Sequence, residues 1–561
     1  MAIVDTPWVD GLTIGEALYR TVRDHGSRDA VVFPRLNLRW SYDEFFDRVK
    51  QTARAFMALD IEAGDHIGIW STNWPEWILA QFASAHIGAV LVNVNPAYRV
   101  HEMEFILGAA DIKLLLLTDA FKHSNYEDMI ASLIPELETA PFGKPLALER
   151  FPSLRQVVGI KAAPSKPGIW PWEEFTAQAR RIPESDMARR AAACNFQMPA
   201  NIQYTSGTTG QPKGAVLTHR NLLMNAFHVG GRQRMGSADR LCIPVPFYHC
   251  FGCVMGTLMC AVHGAAMIVP AESFEPESVL DAVEKERCTA LYGVPTMFNA
   301  ELNHPDFDQY DLSTLRTGIM AGSPCPIELM KQVTQFMHLS ELTIAYGLTE
   351  SSPVITQSET SEPIEVRVST VGTVLPGVEV RIVDPKTLND MPDGEPGELW
   401  SRGHGTMLGY YKDPDATAKV VTPDGWLRTG DLAVRTPSGH YRITGRIKDM
   451  IIRGGENIYP REIEEFLLTH PKIYDAQIVG VPDVHSGEQV SAWIIPKDPS
   501  LTEEEIRAFC KGNIAHYKIP HYIEFVREFP LTVSGKIQKF KLREAGIERF
   551  HLQQAAGTET A

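Results

Sequence analysis

Eleven consecutive residues, Tyr204-Thr205-Ser206-Gly207-Thr208-Thr209-Gly210-Gln211-Pro212-Lys213-Gly214, gather hydroxyls, glycines and one lysine into a single stretch. Glycines let backbone N–H groups turn toward an anion, hydroxyls donate further hydrogen bonds, and the lysine adds a fixed positive charge. The chemistry predicted is the cradling of a polyphosphate. The run is not a P-loop, which needs Ser or Thr directly after the lysine of a Gly-Lys pair; here Pro212 precedes Lys213 and Gly214 follows it. A plain Ser/Thr/Gly surface loop would share the composition, but residues 201–204 read as a strand leading in, and Pro212-Lys213-Gly214 closes the run with a specific pattern.

Further runs could take part in the same chemistry. They are Pro246-Phe247-Tyr248-His249-Cys250-Phe251-Gly252, Ala321-Gly322-Ser323-Pro324, Tyr346-Gly347-Leu348-Thr349-Glu350, Thr429-Gly430-Asp431-Leu432, Gly445-Arg446-Ile447-Lys448-Asp449, Arg453-Gly454-Gly455-Glu456-Asn457-Ile458-Tyr459-Pro460 and Pro530-Leu531-Thr532-Val533-Ser534-Gly535-Lys536. Each alone has an ordinary explanation. A lone histidine is usually structural, Gly-Asp is common in turns, and a lysine near a C-terminus is usually a solvated charge.

Taken in this order, from about Trp40 to Lys539, the set resembles the adenylate-forming superfamily: acyl-CoA synthetases, luciferases and the adenylation domains of peptide synthetases. The resemblance implies roles residue by residue. The loop Thr205, Ser206, Gly207, Thr208, Thr209, Gly210, Gln211, Pro212 and Lys213 grips the β- and γ-phosphates of ATP. His249 borders the acyl carboxylate, and Gly322, Ser323 and Pro324 lie along the adenine and the acyl entrance. Tyr346 stacks on adenine beside Gly347, Thr349 bonds the α-phosphate, and Glu350 holds Mg²⁺, a cation that takes oxygen ligands. Asp431 accepts from the ribose hydroxyls, Arg446 reaches ribose or phosphates, and Lys448 falls at the hinge. Gly454 and Gly455 belong to the loop that serves thioester formation with coenzyme A, and Lys536 is the catalytic cation.

The implied reaction activates a carboxylic acid with ATP to acyl-AMP plus pyrophosphate, then passes the acyl group to coenzyme A. Residues 241–252 and 316–324 most resemble the medium-chain fatty acyl-CoA synthetases, and the positions expected to line the acyl pocket (Cys253, Gly318, Ile319, Met320, Val354) are small or apolar. Gly318 has no side chain to block an alkyl tunnel. An aryl acid, transfer to a carrier protein, and a catalytically silent nucleotide-binding protein stay open as alternatives. The last would be expected to lack Lys213, Glu350 or Lys536, and all three are present.

The elements that must position these residues follow from patterning. Short apolar runs at 66–70, 89–94, 113–118, 240–245, 290–292, 317–320 and 341–345 alternate with helical segments such as 77–86 and 101–108, which predicts βαβ units and mostly parallel sheet. Residues 13–60 read as helical around a strand and turn at 30–41, and residues 138–171, rich in Pro, Gly and Lys, as surface loops. From about 370, short strands and turns predict a β-rich subdomain; beyond 446, helices at 460–468 and 502–513 with strands at 476–479 and 490–495 form a new α+β unit. The fold expected is α/β: a large N-terminal domain of βα-layered subdomains plus the β-rich subdomain, with a small mobile α+β C-terminal domain. The boundaries predicted are 1–447, 448–551 and a flexible tail over 552–561.

Composition sets outer bounds. A chain of 561 residues exceeds what one core supports, and 44% hydrophobic with 22% charged residues is ordinary for a globular protein. A net charge of −16 argues against nucleic acid as a partner. Eight dispersed cysteines point to a reducing compartment, and Cys250 and Cys253, a lone CxxC pair, read as buried, inert thiols. The first twenty residues lack a secretory pattern, and the most apolar stretch, 253–270, falls short of a membrane span, so a cytoplasmic enzyme is expected. It reads as a buried helix followed by a strand at 265–269. The sequence leaves the oligomeric state open, a homodimer included.

Overall fold

The computed structural model describes residues 6–556 except 142, 162–163, 206–211, 324, 454–455, 484 and 533–536. The chain divides into two compact units, one made of Met1–Glu379 with Ser401–Leu427, the other of Val380–Trp400 with Arg428–Ala561. The β-rich strands around 380–446 thus cluster chiefly with the C-terminal segment.

The first unit is built on two large sheets. In the eight-stranded one, Pro199–Thr205, Val90–Val94, His66–Trp70, Ile112–Leu117, Gln156–Gly159 and Ile169–Pro171 run parallel in that spatial order. Lys213–Thr218 and Gly409–Tyr410 close one edge antiparallel. These strands are buried on both faces, which is why they read as continuous apolar runs. The nine-stranded sheet has a parallel centre in the order Glu341–Gly347, Thr317–Ala321, Ala290–Gly293, Arg240–Cys242, Ala266–Ile268 and Asp29–Phe33, with antiparallel strands at both edges. Helices Tyr42–Ala58 and Pro75–His86 bury their aromatic faces in a shared core around Phe45, Phe56, Trp77, Phe82, Phe247 and Tyr292. Their starts are legible: Ser41 caps the first through a capping box with Glu44, and Pro75 sits at the first turn of the second.

Most expected strands recur to within about two residues; the Arg240 strand is shorter, pairing only over Arg240–Cys242, and the strands expected at 476–479 and 490–495 are longer, Ile473–Asp483 and Gly487–Pro496. Residues 138–171 differ from expectation. They contain the strands Gln156–Gly159 and Ile169–Pro171, which extend the parallel sheet. Each is so short that the surrounding Pro, Gly and Lys conceal it. The apolar stretch after Cys253 is buried as expected, but its first turn is a π-helix, Cys253–Leu258, before the α-helix Met259–His263 and the strand Ala266–Ile268.

Leu427–Arg435 and Tyr441–Arg446 form an antiparallel pair in a four-stranded sheet with Val378–Val383 and Gly397–Gly403, and most of its residues belong to the second unit. A five-stranded sheet carries the long hairpin Ile473–Asp483 and Gly487–Pro496, flanked by helices Pro460–Leu467 and Glu503–Cys510 over a separate core that includes Ile463, Leu467, Ile478, Ile494 and Ile506. No helix among the described residues is long and apolar enough to cross a membrane. All eight cysteines are free thiols, and Cys250 and Cys253 are buried.

Candidate active site

The glycine- and hydroxyl-rich run joins two paired strands. Thr205 ends Pro199–Thr205 and stands opposite Lys213, the first residue of Lys213–Thr218, and its hydroxyl donates to the Lys213 carbonyl at 3.4 Å. Ser206, Gly207, Thr208, Thr209, Gly210 and Gln211 lie outside the described residues. Pro212 and Lys213 are half-buried at the exit of the run.

Lys213 is drawn to one further group. Its Nζ lies over the ring of Tyr410, 5.4 Å from the centroid, and the Tyr410 hydroxyl donates to Glu350 Oε1 at 2.7 Å. Burial and the neighbouring Glu350 carboxylate hold the Tyr410 phenol well above its ordinary pKa, so it remains a donor. Glu350 is buried in a single 3-10 turn, Thr349–Ser351, and its carbonyl accepts from the Met407 N–H at 2.9 Å. The turn follows Tyr346 and Gly347, the last residues of the strand Glu341–Gly347. Gly347 is required by packing, since a Cβ there would collide with the Pro353 carbonyl as the chain doubles back; the Leu348 N–H donates to that carbonyl at 2.9 Å. Thr349 and Glu350 are thereby presented just beyond the half-buried Tyr346.

His249 stands at the N-cap of the short helix Cys250–Gly252, its Nδ1 accepting from the Phe251 N–H at 3.2 Å. The turn before it is held by buried amides. Asn73 accepts from the Phe247 N–H (2.8 Å) and donates to the Val245 carbonyl (3.0 Å), and Asn93 donates to the Tyr248 carbonyl (3.0 Å). Asn201 donates to Asn93 at 2.9 Å, and Gln203 sits between the two thiols, accepting from Cys250 Sγ (2.9 Å) and donating to Cys253 Sγ (3.4 Å). Burial pushes the Cys253 thiol up to about 12, which keeps it protonated. The strand leading to Thr205 is therefore hydrogen-bonded to the turn that carries His249.

Gly322 and Ser323 follow the strand Thr317–Ala321; Pro324 lies outside the described residues. Cys253, Ile319, Met320 and Val354 are buried. Gly318 has a different origin from the one its size suggests: a Cβ there would collide with the Leu291 carbonyl of the adjacent strand, so strand packing demands the glycine.

In the second unit Asp431 and Arg446 are directly opposed on neighbouring strands, Arg446 Nε lying 2.9 Å from Asp431 Oδ1. The stretch of strand before Asp431 is anchored by Glu398, whose Oε1 accepts from the Gly430 N–H at 3.0 Å, and by the Thr429 hydroxyl, which donates to the Leu399 carbonyl at 2.6 Å. Lys448 is exposed in the 3-10 turn Ile447–Asp449. Gly454, Gly455 and Lys536 lie outside the described residues. Beside them in the sequence, Arg453 pairs with Glu456 and Leu531 bridges to Ile537.

Tyr410, the amide row of Asn73, Asn93, Asn201 and Gln203, and Glu398 escape a motif-based reading. A signal for part of the row existed: Asn201 and Gln203 alternate in a strand that must be buried, and buried amides need partners.

Among protein-family models, the one described as AMP-binding enzyme matches residues 18–411, and the AMP-binding enzyme C-terminal domain matches residues 462–536. A putative acyl-CoA synthetase of Bacillus subtilis (strain 168), YngI, is 51% identical over 97% of this chain and 98% of its own length. The mitochondrial medium-chain acyl-CoA ligase ACSF2 of Danio rerio is 43% identical over 95% of this chain and 88% of its own. Among solved structures, the anthranilate CoA ligase AuaEII with anthranoyl-AMP superposes with a TM-score of 0.85 at 25% identity, covering 98% of this chain and 100% of that one. ATP-bound MatB from Rhodopseudomonas palustris gives 0.82 at 26% identity, over 96% and 100%. The chain belongs to the AMP-binding enzyme family, the adenylate-forming enzymes, in its acyl-CoA synthetase branch.

Proposed function

We propose that the protein joins a medium-chain fatty acid to coenzyme A in two steps: the acid and ATP give acyl-AMP and pyrophosphate, and acyl-AMP with coenzyme A gives acyl-CoA and AMP. The observation that carries this reading is the convergence of Lys213 and Glu350 on Tyr410 at the mouth of the glycine- and hydroxyl-rich run.

A carboxylate is a poor acyl donor because its oxygen is a poor leaving group. Attack of that oxygen on the α-phosphorus forms the P–O bond of the mixed anhydride, and the α–β bridging oxygen leaves with pyrophosphate. Positioning and fixed positive charge must carry most of the catalysis. Thr205, Lys213 and the residues between them grip the β- and γ-phosphates, Tyr346 stacks on the adenine, and Thr349 bonds the α-phosphate. Glu350 is a suitable ligand for Mg²⁺: a buried carboxylate with one oxygen committed to a neutral donor and no ion pair among the described residues. Mg²⁺ there would offset charge on the departing pyrophosphate. Asp431 holds the ribose, with Arg446 beside it, and His249 borders the carboxylate. Gly322, Ser323 and Pro324 flank the adenine.

Lys536 is the cation that bridges the carboxylate and the α-phosphate in the first step, within a C-terminal domain of residues 448–551. A change of backbone torsion at Lys448 exchanges it for the loop of Gly454 and Gly455 in the second step. Lys536→Ala should therefore abolish acyl-AMP formation while thioester formation from supplied acyl-AMP continues at no less than about a tenth of the wild-type rate. Equal loss of both steps would refute the assignment.

The acid class is tested by incubating the protein with ATP, Mg²⁺, coenzyme A and a pool of alkyl and aryl acids, then identifying thioesters by mass spectrometry. The medium-chain reading is supported by the named activity of ACSF2. Medium-chain acyl-CoAs with AMP as co-product are expected. Aryl thioesters alone would move the protein toward the anthranilate ligase it superposes on. Acyl-AMP without thioester would overturn coenzyme A as acceptor.

A further inference from the structure

We propose that Tyr410 is a positioning residue that fixes the Glu350 carboxylate for metal–ATP and keeps Lys213 from pairing with it. The inference rests on the reading of Glu350 as the metal ligand and Lys213 as a phosphate-binding cation.

Three observations carry it. First, the Tyr410 hydroxyl donates to one oxygen of Glu350 at 2.7 Å, and Glu350 is buried with no ion pair among the described residues. A carboxylate held by one strong hydrogen bond keeps its rotamer and presents its other oxygen. Second, Lys213 Nζ lies 5.4 Å from the centroid of the same ring. A buried acid and a lysine that share one side-chain neighbour are candidates for an ion pair, and in such a pair each would be neutralised before either met a ligand. The ring gives each its own partner: its face holds the ammonium through the quadrupole, and its hydroxyl holds the carboxylate.

Third, the backbone around Tyr410 is fixed on every side. Tyr410 stands opposite Ala215 on the edge strand; the Leu408 N–H donates to the Val216 carbonyl (3.0 Å) and the Tyr411 N–H to the Gly214 carbonyl (2.8 Å). The Tyr410 N–H donates to Thr417 Oγ1 at 2.8 Å, and the Met407 N–H holds the Glu350 carbonyl. One short segment thus grips Glu350 by both main chain and side chain and registers it against the strand that begins at Lys213. A tyrosine present only to fill space would need its ring, not a hydroxyl aimed at one oxygen of a buried acid.

The test compares Tyr410→Phe, Tyr410→Leu, Glu350→Gln and a control, Tyr411→Phe. The Tyr411 hydroxyl donates to Asp111 Oδ2 at 2.7 Å, so the control makes the same chemical change one residue away without touching Glu350. Binding of Mn²⁺ to the complex of enzyme and a non-hydrolysable ATP analogue is read by electron paramagnetic resonance, alongside KM for metal–ATP and for the acid. Tyr410→Phe should weaken Mn²⁺ binding and raise KM for metal–ATP about tenfold, with the acid KM unchanged. Tyr410→Leu should also weaken metal-free binding of the analogue, because Lys213 loses its seat. Tyr411→Phe should match wild type.

Wild-type Mn²⁺ affinity in Tyr410→Phe, with Glu350→Gln impaired, would overturn the positioning role and leave Glu350 as metal ligand. Unaltered affinity in Glu350→Gln would overturn both. A parallel rise in the acid KM of Tyr410→Phe would reduce Tyr410 to a packing residue and overturn the proposal.

Discussion

Glu350 in the first unit and Asp431 in the second are both buried acids, yet they are balanced in opposite ways. Asp431 faces the guanidinium of Arg446 at 2.9 Å, so its charge is met within the protein. Glu350 is met by a neutral phenol, while Lys213 Nζ lies over the ring of that same phenol. A carboxylate that already has a cation is suited to accepting hydrogen bonds from neutral hydroxyls. One left without a cation is suited to receiving one. The contrast agrees with ribose at Asp431 and a divalent metal at Glu350, and it can be broken by exchanging the charges.

The largest effect is expected at Glu350. Glu350→Gln keeps the shape and an acceptor for Tyr410 but removes the negative charge. Pyrophosphate exchange, which reports the first step alone, should fall about 100- to 1,000-fold, as when one group serving developing charge is lost. Raising Mg²⁺ should not restore it. A loss under about threefold would mean that the carboxylate only supports its turn.

Asp431→Asn should act on binding. The pair lies half in solvent, the Arg446 side chain being 52% exposed, so its contribution to stability is about 1 kcal/mol or less. Thermal midpoints should barely move, whereas KM for ATP should rise about tenfold or more, since an amide accepts from two ribose hydroxyls less well than a carboxylate does. If stability falls and KM does not change, Asp431 is a strut for Arg446 and the contrast with Glu350 disappears.

The same two acids show how far the sequence carried. The alternation of strands and helices was legible because fully buried parallel strands must be apolar throughout, as in His66–Trp70 and Ile112–Leu117. Glu350 and Asp431 were legible through the resemblance of their runs to a known family, and for the Glu350 run Gly347 shows a physical reason for the pattern in its collision with Pro353. Their partners were not equally legible. Arg446 lies fifteen positions from Asp431 within another recognisable run, and a hairpin brings it across. Tyr410 is sixty positions from Glu350 and reaches it through a two-residue edge strand too short to leave a periodic trace. Gln203 and Asn93 were hidden in the same way: a buried amide looks like a misplaced polar residue until the neighbouring strand supplies its partner. Gly318 is the converse, a small residue whose size answers to the adjacent strand rather than to a ligand.

A third acid gives the smallest effect and shows what burial costs where no cation and no side-chain donor meets the carboxylate among the described residues. Glu76 lies in the first turn of Pro75–His86, and its Oε2 has no hydrogen-bond partner among the described residues. Burial raises its pKa from 4.5 to about 7, opposed by a hydrogen bond from its own backbone N–H and reinforced by the charge of Glu173. Between those two values the folded protein keeps a proton that the unfolded chain has released. Stability therefore falls as pH rises from about 4.5 and levels off above about 7. Glu76→Gln has no proton to lose. Relative to wild type it should gain about 2 kcal/mol in chemical denaturation at pH 8 over its standing at pH 4.5, less than the roughly 3 kcal/mol that the full displacement would give. Adenylation at pH 8 should be unchanged, because the substitution touches none of the candidate site. An equal gain at both pH values would show that shape and not charge limits stability there, and Glu76 would then say nothing about how Glu350 tolerates its burial.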